Sequence, residues 1–373
     1  MTLWDKRPDT IVHEIDPYNA EPPRGALAEQ LLTPLDTFYS RNHGPVPVID
    51  PRTWRLGVDG LVSDDQELSL ADLRDRFEEQ TLLATLQCAG NRRAGLMAAR
   101  DITGQHPWGP GATSTAMWSG IWLADVLAAA GADPGAGHVA FEAPDVAGEA
   151  VPPAPYGSSI PLTKARYGGV LLAWAMNGSP LPAVHGAPLR VVVPGYIGAR
   201  SVKWVERITV QREPSSNYFQ ASAYRLLPAD PAPAGDGTTA GIALGAAPLS
   251  SAILQPDDGA RVPEGATRVT GYAYAGDGRA VARVDVSVDG GAHWRQAGLD
   301  TQAGPWAWQH WRLSVDLEAG STEIVARAWD TSAATQPEQP LQVWNPKGYV
   351  NTSWARAWVT VELRSGTPAG PGG

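Results

Sequence analysis

Apolar residues recur along this chain with two different periods, and the change of period divides it. Trp54, Leu56 and Val58 alternate with polar neighbours, so 54–62 reads as a half-buried strand. Ser69 precedes a helical spacing of Leu70, Leu73 and Phe77, which predicts a short capped helix. Residues 81–86 form a brief apolar strand that delivers Cys88 at its end. Over 118–131, Leu123, Val126, Leu127 and Ala130 share one helical face and Gly131 is placed as a C-cap, so this stretch predicts the clearest helix. The run 170–176 is apolar throughout, 189–193 reads as a buried strand, and 201–210 as another. From 229 to 249 the composition turns Ala-, Pro- and Gly-rich, which marks a linker. Beyond it 269–274, 280–288 and 324–329 alternate, and Asp289-Gly290-Gly291 signals a hairpin turn. An all-β sandwich of about 120 residues follows from that pattern. Residues 1–30 are polar and Pro-rich, a partly ordered arm, and the tail from Ser365 reads as frayed. The expected class is α+β: the arm, a mixed α/β domain over 31–240, and the sandwich over 245–364.

Composition narrows the function. A length of 373 residues exceeds one ordinary core, in keeping with two domains. With 43% hydrophobic and 18% charged residues the chain is globular rather than disordered. A net charge of −10 argues against nucleic acid or an anionic membrane as partner. An anionic substrate would therefore need a local basic pocket. No apolar run approaches about 20 residues, the length of a membrane-spanning helix. A lone cysteine fits a reducing compartment, and the N-terminus has neither a basic-then-apolar leader pattern nor a twin-arginine pair. A cytoplasmic location is expected.

Candidate chemistry concentrates in Leu86-Gln87-Cys88-Ala89-Gly90-Asn91-Arg92-Arg93. Cys88 is the only cysteine, which excludes an intrachain disulfide. A thiolate is a soft ligand for a transition metal, and neighbouring positive charge favours it. Arg93 can present a bidentate fork to an oxyanion. In isolation the same residues fit a buried, inert thiol equally well.

The motif does not stand in isolation. Phe38-Tyr39-Ser40-Arg41-Asn42-His43 precedes it, and GATSTAMW (111–118), PYGSSI (155–160), HGAPLRVVVPG (185–195) and GARSVKW (198–204) follow. In this order, over roughly residues 30 to 362, the set resembles the sulfite oxidase family. Val284–Gly291, Trp306-Ala307-Trp308, Gln336-Pro337-Glu338 and Trp344-Asn345 resemble that family's immunoglobulin-like dimerisation domain. The resemblance implies a molybdenum ion held by the dithiolene of one molybdopterin, with Cys88 as the only protein ligand to the metal, and a homodimer. It places His43, Asp145, His185, Arg190, Ser201 and Lys203 on the pterin-binding positions, Ser201 standing where the family commonly has histidine. Arg41 and Arg93 fall on arginines of the anion pocket, Trp108 on its wall, and Tyr224 on a tyrosine near the metal. Ala223 replaces the aspartate that usually precedes this tyrosine. Lys347 stands where vertebrate sulfite oxidases have arginine and nitrate reductases tend to have methionine, which favours a dianion such as sulfite. The implied activity is oxidation of sulfite to sulfate by oxygen-atom transfer. Electrons would leave to an external acceptor, a cytochrome or oxygen, because the chain has no CxxCH site and no haem is expected. Nitrate or sulfoxide reduction on the same fold, or a non-catalytic scaffold, are the alternatives.

Overall fold

The computed structural model describes residues 3–230 and 241–363. Two five-stranded sheets build the first unit. In one, Gln80–Gln87 pairs antiparallel with Thr113–Trp122, which pairs with Leu171–Met176, and Arg190–Val192 and Ser179–Pro180 complete it. In the other, the order is Gln66–Leu68, Leu56–Gly60, Arg207–Gln211, His138–Ala147, Ala154–Pro161. Leu56, Val58, Phe141, Ile160, Leu172, Val191 and Ile208 fill the core between them, all fully buried. The helix Leu70–Arg76 starts where its cap chemistry places it. Ser69 accepts from the Asp72 N–H while the Asp72 carboxylate accepts from the Ser69 N–H, a reciprocal capping box.

Two sequence expectations need correction. Residues 118–122 are not helical: they finish the strand Thr113–Trp122, and the helix is only Leu123–Ala129. Trp118 is buried in the sheet with its indole N–H on the Ala84 carbonyl at 3.2 Å, so cross-strand pairing overrides the helical spacing. Gly131 does adopt the left-handed conformation, at φ 65°. The expected strand over 201–210 shrinks to Arg207–Gln211, and 201–206 is a loop that turns Ser201 and Lys203 into a cavity.

The second unit is the expected sandwich. One sheet runs Ser250–Gln255, Gly265–Tyr274, Gln309–Leu317, Gly298–Leu299; the other runs Ala260–Pro263, Ala355–Glu362, Gly320–Asp330, Val281–Ser287, Arg295–Gln296. Val269, Trp311, Val315, Ile324, Ala326, Ala357 and Val359 form its core. The hairpin after Val281–Ser287 turns through Gly290 and Gly291, at φ 68° and 95°, where a side chain would be strained. The frayed-tail expectation and residues 231–240 of the predicted linker lie outside the described residues.

The N-terminal arm is the third correction. Its strands Ile11–Glu14 and Asn19–Glu21 form a hairpin, and Ala20 exchanges backbone hydrogen bonds with Ser40. Tyr18, Asn19, Ala20 and Glu21 are all buried. Glu21 accepts from the N–H groups of Gly109 and Gly111 at 2.6 and 2.8 Å and lies 2.9 Å from His13 Nε2. Glu21 and Glu14, which lies 3.0 Å from His106 Nε2, tie the arm to the loop after Cys88.

The two units meet on that same loop. Asn91 donates to the Tyr272 hydroxyl at 2.8 Å, and Tyr272 donates onward to the Pro110 carbonyl at 3.0 Å. Arg92 reaches the carbonyls of Ser353 and Trp354, both at 2.8 Å. Tyr272→Phe keeps the ring packing and strands the Asn91 amide and the Pro110 carbonyl. Leaving such buried groups unpaired costs about 1–3 kcal/mol. Urea unfolding of the variant is expected to show a lower midpoint; an unchanged midpoint would mean that this bridge contributes nothing to holding the units together.

Candidate functional site

The site grows from the end of the strand Gln80–Gln87. The Cys88 N–H is held by the Ala112 carbonyl at 2.9 Å, and the Gly90 N–H points at Cys88 Sγ at 3.3 Å. Arg92 then takes a left-handed conformation, φ 63°, and the helix Arg93–Ala99 begins. Gly90 is required here. A Cβ at this position would stand 2.6 Å from an Arg93 guanidinium nitrogen, so only glycine lets Arg93 fold back over the turn. Arg93 is buried; it donates to the carbonyls of Lys347 at 3.1 Å, Gly348 at 3.2 Å and His106 at 3.1 Å, and lies over the Tyr349 ring.

Beside this turn lies a cavity with about 630 Å³ of empty space. Nine of the twelve sequence-predicted residues line it: Arg41, His43, Cys88, Asp145, His185, Arg190, Ser201, Lys203 and Tyr224. They arrive from six separate segments. Trp108, Arg93 and Lys347 do not line it. Trp108 is fully buried in the cluster that contains Cys88, its ring edge-on to His13 at 4.5 Å and its indole nitrogen without a partner. Arg93 sits behind the wall, close enough that negative charge on Cys88 partly offsets the lowering of its pKa by burial. Lys347 contributes only its backbone carbonyl, through Arg93, and its ammonium is not brought into the cavity.

The cavity is strongly electropositive for so acidic a protein. Burial pushes Lys203 well below its usual range, with Arg190 adding to the shift, and burial brings Arg190 down to about 10. His185 and His43 are driven well below 6.5, first by burial and then by neighbouring cations, so both are neutral near pH 7. Asp145, the buried acid of the cavity, is raised to about 7 by burial, with Lys203 pulling the other way. Several polar atoms are left over: Arg190 Nε, Asp145 Oδ1, Gln87 Oε1 and Ser40 Oγ are buried without hydrogen-bond partners. Arg190 spends its other nitrogens on the carbonyls of His185 and Ser201, at 2.8 and 3.2 Å. The Ser201 hydroxyl oxygen is held by the Val193 N–H at 3.0 Å.

One histidine tautomer follows from the geometry. The Tyr224 hydroxyl, whose pKa burial raises well above 10, shares a hydrogen bond with His43 Nε2 at 2.7 Å. Lys6, from the arm, donates to His185 Nε2 at 2.8 Å and to the carbonyls of Leu35 and Phe38, both at 2.7 Å. An ammonium can only donate, so the neutral His185 ring carries its proton on Nδ1. Lys6 itself is lowered to about 7 by burial. Sequence reasoning missed Lys6, and also Tyr39, Tyr156 and Trp204 of the cavity wall and Tyr349, which stacks on Tyr224 at 5.3 Å. Tyr39, Tyr156 and Trp204 lie inside motifs already singled out. Lys6 and Tyr349 carry no local signal, since only tertiary structure brings them in.

Among the described residues no group of three or more His, Cys, Asp or Glu side chains is placed to hold a metal ion. A metal here has one thiol to bind and must bring further ligands on its own cofactor.

Comparison with known proteins answers which cofactor. Residues 43–219 match the model of the oxidoreductase molybdopterin binding domain, and residues 243–362 that of the Mo-co oxidoreductase dimerisation domain. The chain is 45% identical to the sulfite oxidase of Gallus gallus, over 94% of this chain and 78% of that one. It is 38% identical to the sulfite oxidase of Arabidopsis thaliana, over 94% of each. It spans 66% of the length of the mammalian mitochondrial relatives it matches. Among solved structures, the sulfane dehydrogenase SoxCD from Paracoccus pantotrophus superposes with a TM-score of 0.79 at 28% identity, over 94% of this chain and 86% of that one. A single buried thiol lining a cationic cavity, two matched domain models and this degree of identity have one common explanation: the chain belongs to the sulfite oxidase family of molybdopterin oxidoreductases.

Proposed function

We propose that this protein oxidises sulfite to sulfate by oxygen-atom transfer, using a molybdenum–molybdopterin cofactor seated in the Cys88 cavity and an external electron acceptor. One observation carries the reading: a buried thiol shares its cavity with desolvated cations and unpartnered polar atoms that no protein group satisfies. That donor set fits the cofactor. A soft sulfur ligand suits molybdenum, and Arg190, Lys203 and the Nδ1–H of His185 suit the phosphate in which the pterin ends. The orphaned Arg190 Nε and Asp145 Oδ1 are a donor and an acceptor available to the pterin. When bound, the cofactor supplies the two-electron oxygen-atom chemistry. The chain's own residues do the rest. Cys88 ligates the metal. Arg41 offers the entering oxyanion a charge-assisted hydrogen bond, and buried Arg93 adds long-range attraction. Tyr224, tied to His43 and stacked on Tyr349, is a rigid wall rather than a mobile acid. The sandwich unit pairs two copies into a homodimer. Preference for sulfite over nitrate does not rest on Lys347, whose ammonium stands outside the cavity.

Replacing the thiol tests the metal ligand. Cys88→Ser is expected to abolish sulfite turnover with unchanged circular dichroism, since an alkoxide is a harder ligand; near-normal turnover would refute the assignment.

Substrate contacts separate by kinetics. Arg41→Gln removes a charge-assisted hydrogen bond worth about 1.5–3 kcal/mol, so kcat/KM for sulfite should fall roughly 10- to 100-fold, chiefly through KM. Lys347→Met should leave sulfite kinetics near those of the unaltered enzyme. The opposite ranking would put the lysine in the pocket.

The cavity's charge also makes a pH prediction. In cofactor-free protein Lys6 and Asp145 both titrate near pH 7. Protonating either adds positive charge, so an anion binds more tightly below that pH and takes up protons as it binds. Sulfate keeps its charge across this range and is the right probe. Calorimetric titration should show affinity rising from pH 8 to pH 6. A flat profile would mean that neither group faces the anion site.

A further inference from the structure

The turn between the strands His138–Ala147 and Ala154–Pro161 carries Glu149 over the cavity mouth. Its carboxylate lies 3.6 Å from an Arg41 guanidinium nitrogen and 3.6 Å from His43 Nε2. His43 is neutral near pH 7, so the ionic partner is Arg41. The Glu149 side chain is 43% exposed and that of Arg41 is 22% exposed, which puts the ion pair at the boundary between cavity and solvent. Buried Ala147 and Ala150 anchor the turn, and its tip is open. Gly148 has no atom within 4 Å of where a Cβ would stand, and Val151 projects into solvent. Its carboxylate can leave Arg41 without breaking core contacts. Position 223, where the family usually carries an aspartate beside the tyrosine, is alanine in this chain.

We propose that Glu149 is a built-in anion that occupies Arg41 when no oxyanion is bound, and that its return to Arg41 helps to expel the sulfate product. The inference rests on the sulfite reading above. Carboxylate and oxyanion compete for one guanidinium, so substrate and product pay the same displacement cost. Removing the carboxylate therefore tightens both by a common factor. For a partly exposed pair that factor is roughly 2- to 5-fold, and it shrinks as salt screens the charges.

The test uses the molybdenum-loaded enzyme and two readouts, the KM for sulfite and the calorimetric Kd for sulfate, the second of which needs no turnover. Glu149→Gln is expected to lower both by about 2- to 5-fold at low ionic strength, with kcat changing less and product inhibition becoming stronger. Glu149→Asp, which keeps the charge, should stay near the unaltered enzyme. In about 0.5 M salt the difference should close. Unchanged constants in Glu149→Gln, or a change in one without the other, would overturn the inference while leaving the sulfite reading intact. An unaltered enzyme that neither turns over sulfite nor binds sulfate would overturn both.

Discussion

The structure depends on positive charge held out of water around Cys88. Arg190, Lys203, Lys6, Arg92 and Arg93 are buried or half-buried on segments that surround the Cys88 turn and its cavity, and burial lowers the pKa of every one of them. Such a cluster is unfavourable unless each cation finds acceptors. The protein supplies them almost entirely as backbone carbonyls: Leu35 and Phe38 for Lys6, Val184 for Lys203, His185 and Ser201 for Arg190, Ser353 and Trp354 for Arg92. Carbonyls satisfy the hydrogen bonds without cancelling the charge. Carboxylates in those places would have done both, and left nothing for an anion. Charge that is hydrogen-bonded but not neutralised is what a phosphate-bearing cofactor and an oxyanion substrate both require.

The adjacent arginines of the Cys88 turn divide this work. Arg92, in its left-handed conformation, points out to the sandwich and caps two carbonyls there, while Arg93 turns back over Gly90 toward the cavity. Arg93 also takes the carbonyls of Lys347 and Gly348, so both residues tie the metal-ligand loop to the second unit. The Ala89 carbonyl receives the Val350 N–H at 2.7 Å, and Asn91 meets Tyr272. The sandwich therefore serves as the outer support of the Cys88 loop. A family resemblance can assign it to dimerisation, but these contacts show a role within one chain as well.

Legibility in the sequence tracks the range of the interaction concerned. Ser69 and Asp72 are three residues apart, and the helix they cap was readable at once. The alternating strands of the sandwich were readable too, because burial on one face leaves a period of two. Trp118 was misread because its partner is Ala84, 34 positions away, and the helical spacing beyond it continued backwards by chance. The cavity residues were found because motifs cluster their side chains at loop ends, as with Arg41 and His43 or Ser201 and Lys203. Lys6 was missed because nothing near it in sequence hints at His185, 179 positions on. Lys347 shows the reverse error. Its place in a motif was readable, but the cavity lining does not include it, and its backbone carbonyl is the group that meets Arg93.

An acidic protein with a cationic interior has an entry problem that its fold has to solve. Outside, a net charge of −10 repels small oxyanions within the screening length of the surface, and only those that reach the mouth come close enough to feel Arg41. Inside, the same cations that attract sulfite would hold sulfate, which carries similar charge and similar oxygens. An interior tuned only for capture would be slow to release. The cavity's balance is therefore best struck at its rim, where water lowers the strength of every ion pair and small displacements change it most. Deep positions such as Arg190 and Lys203 are locked by carbonyls and hold what should stay. Arg41, partly exposed and contacted by a carboxylate on a turn whose tip is open, is where exchange can occur. The gradient from locked to exchangeable cation, running outward from the cofactor wall to the mouth, lets one cavity both retain a cofactor and turn over a substrate of like charge.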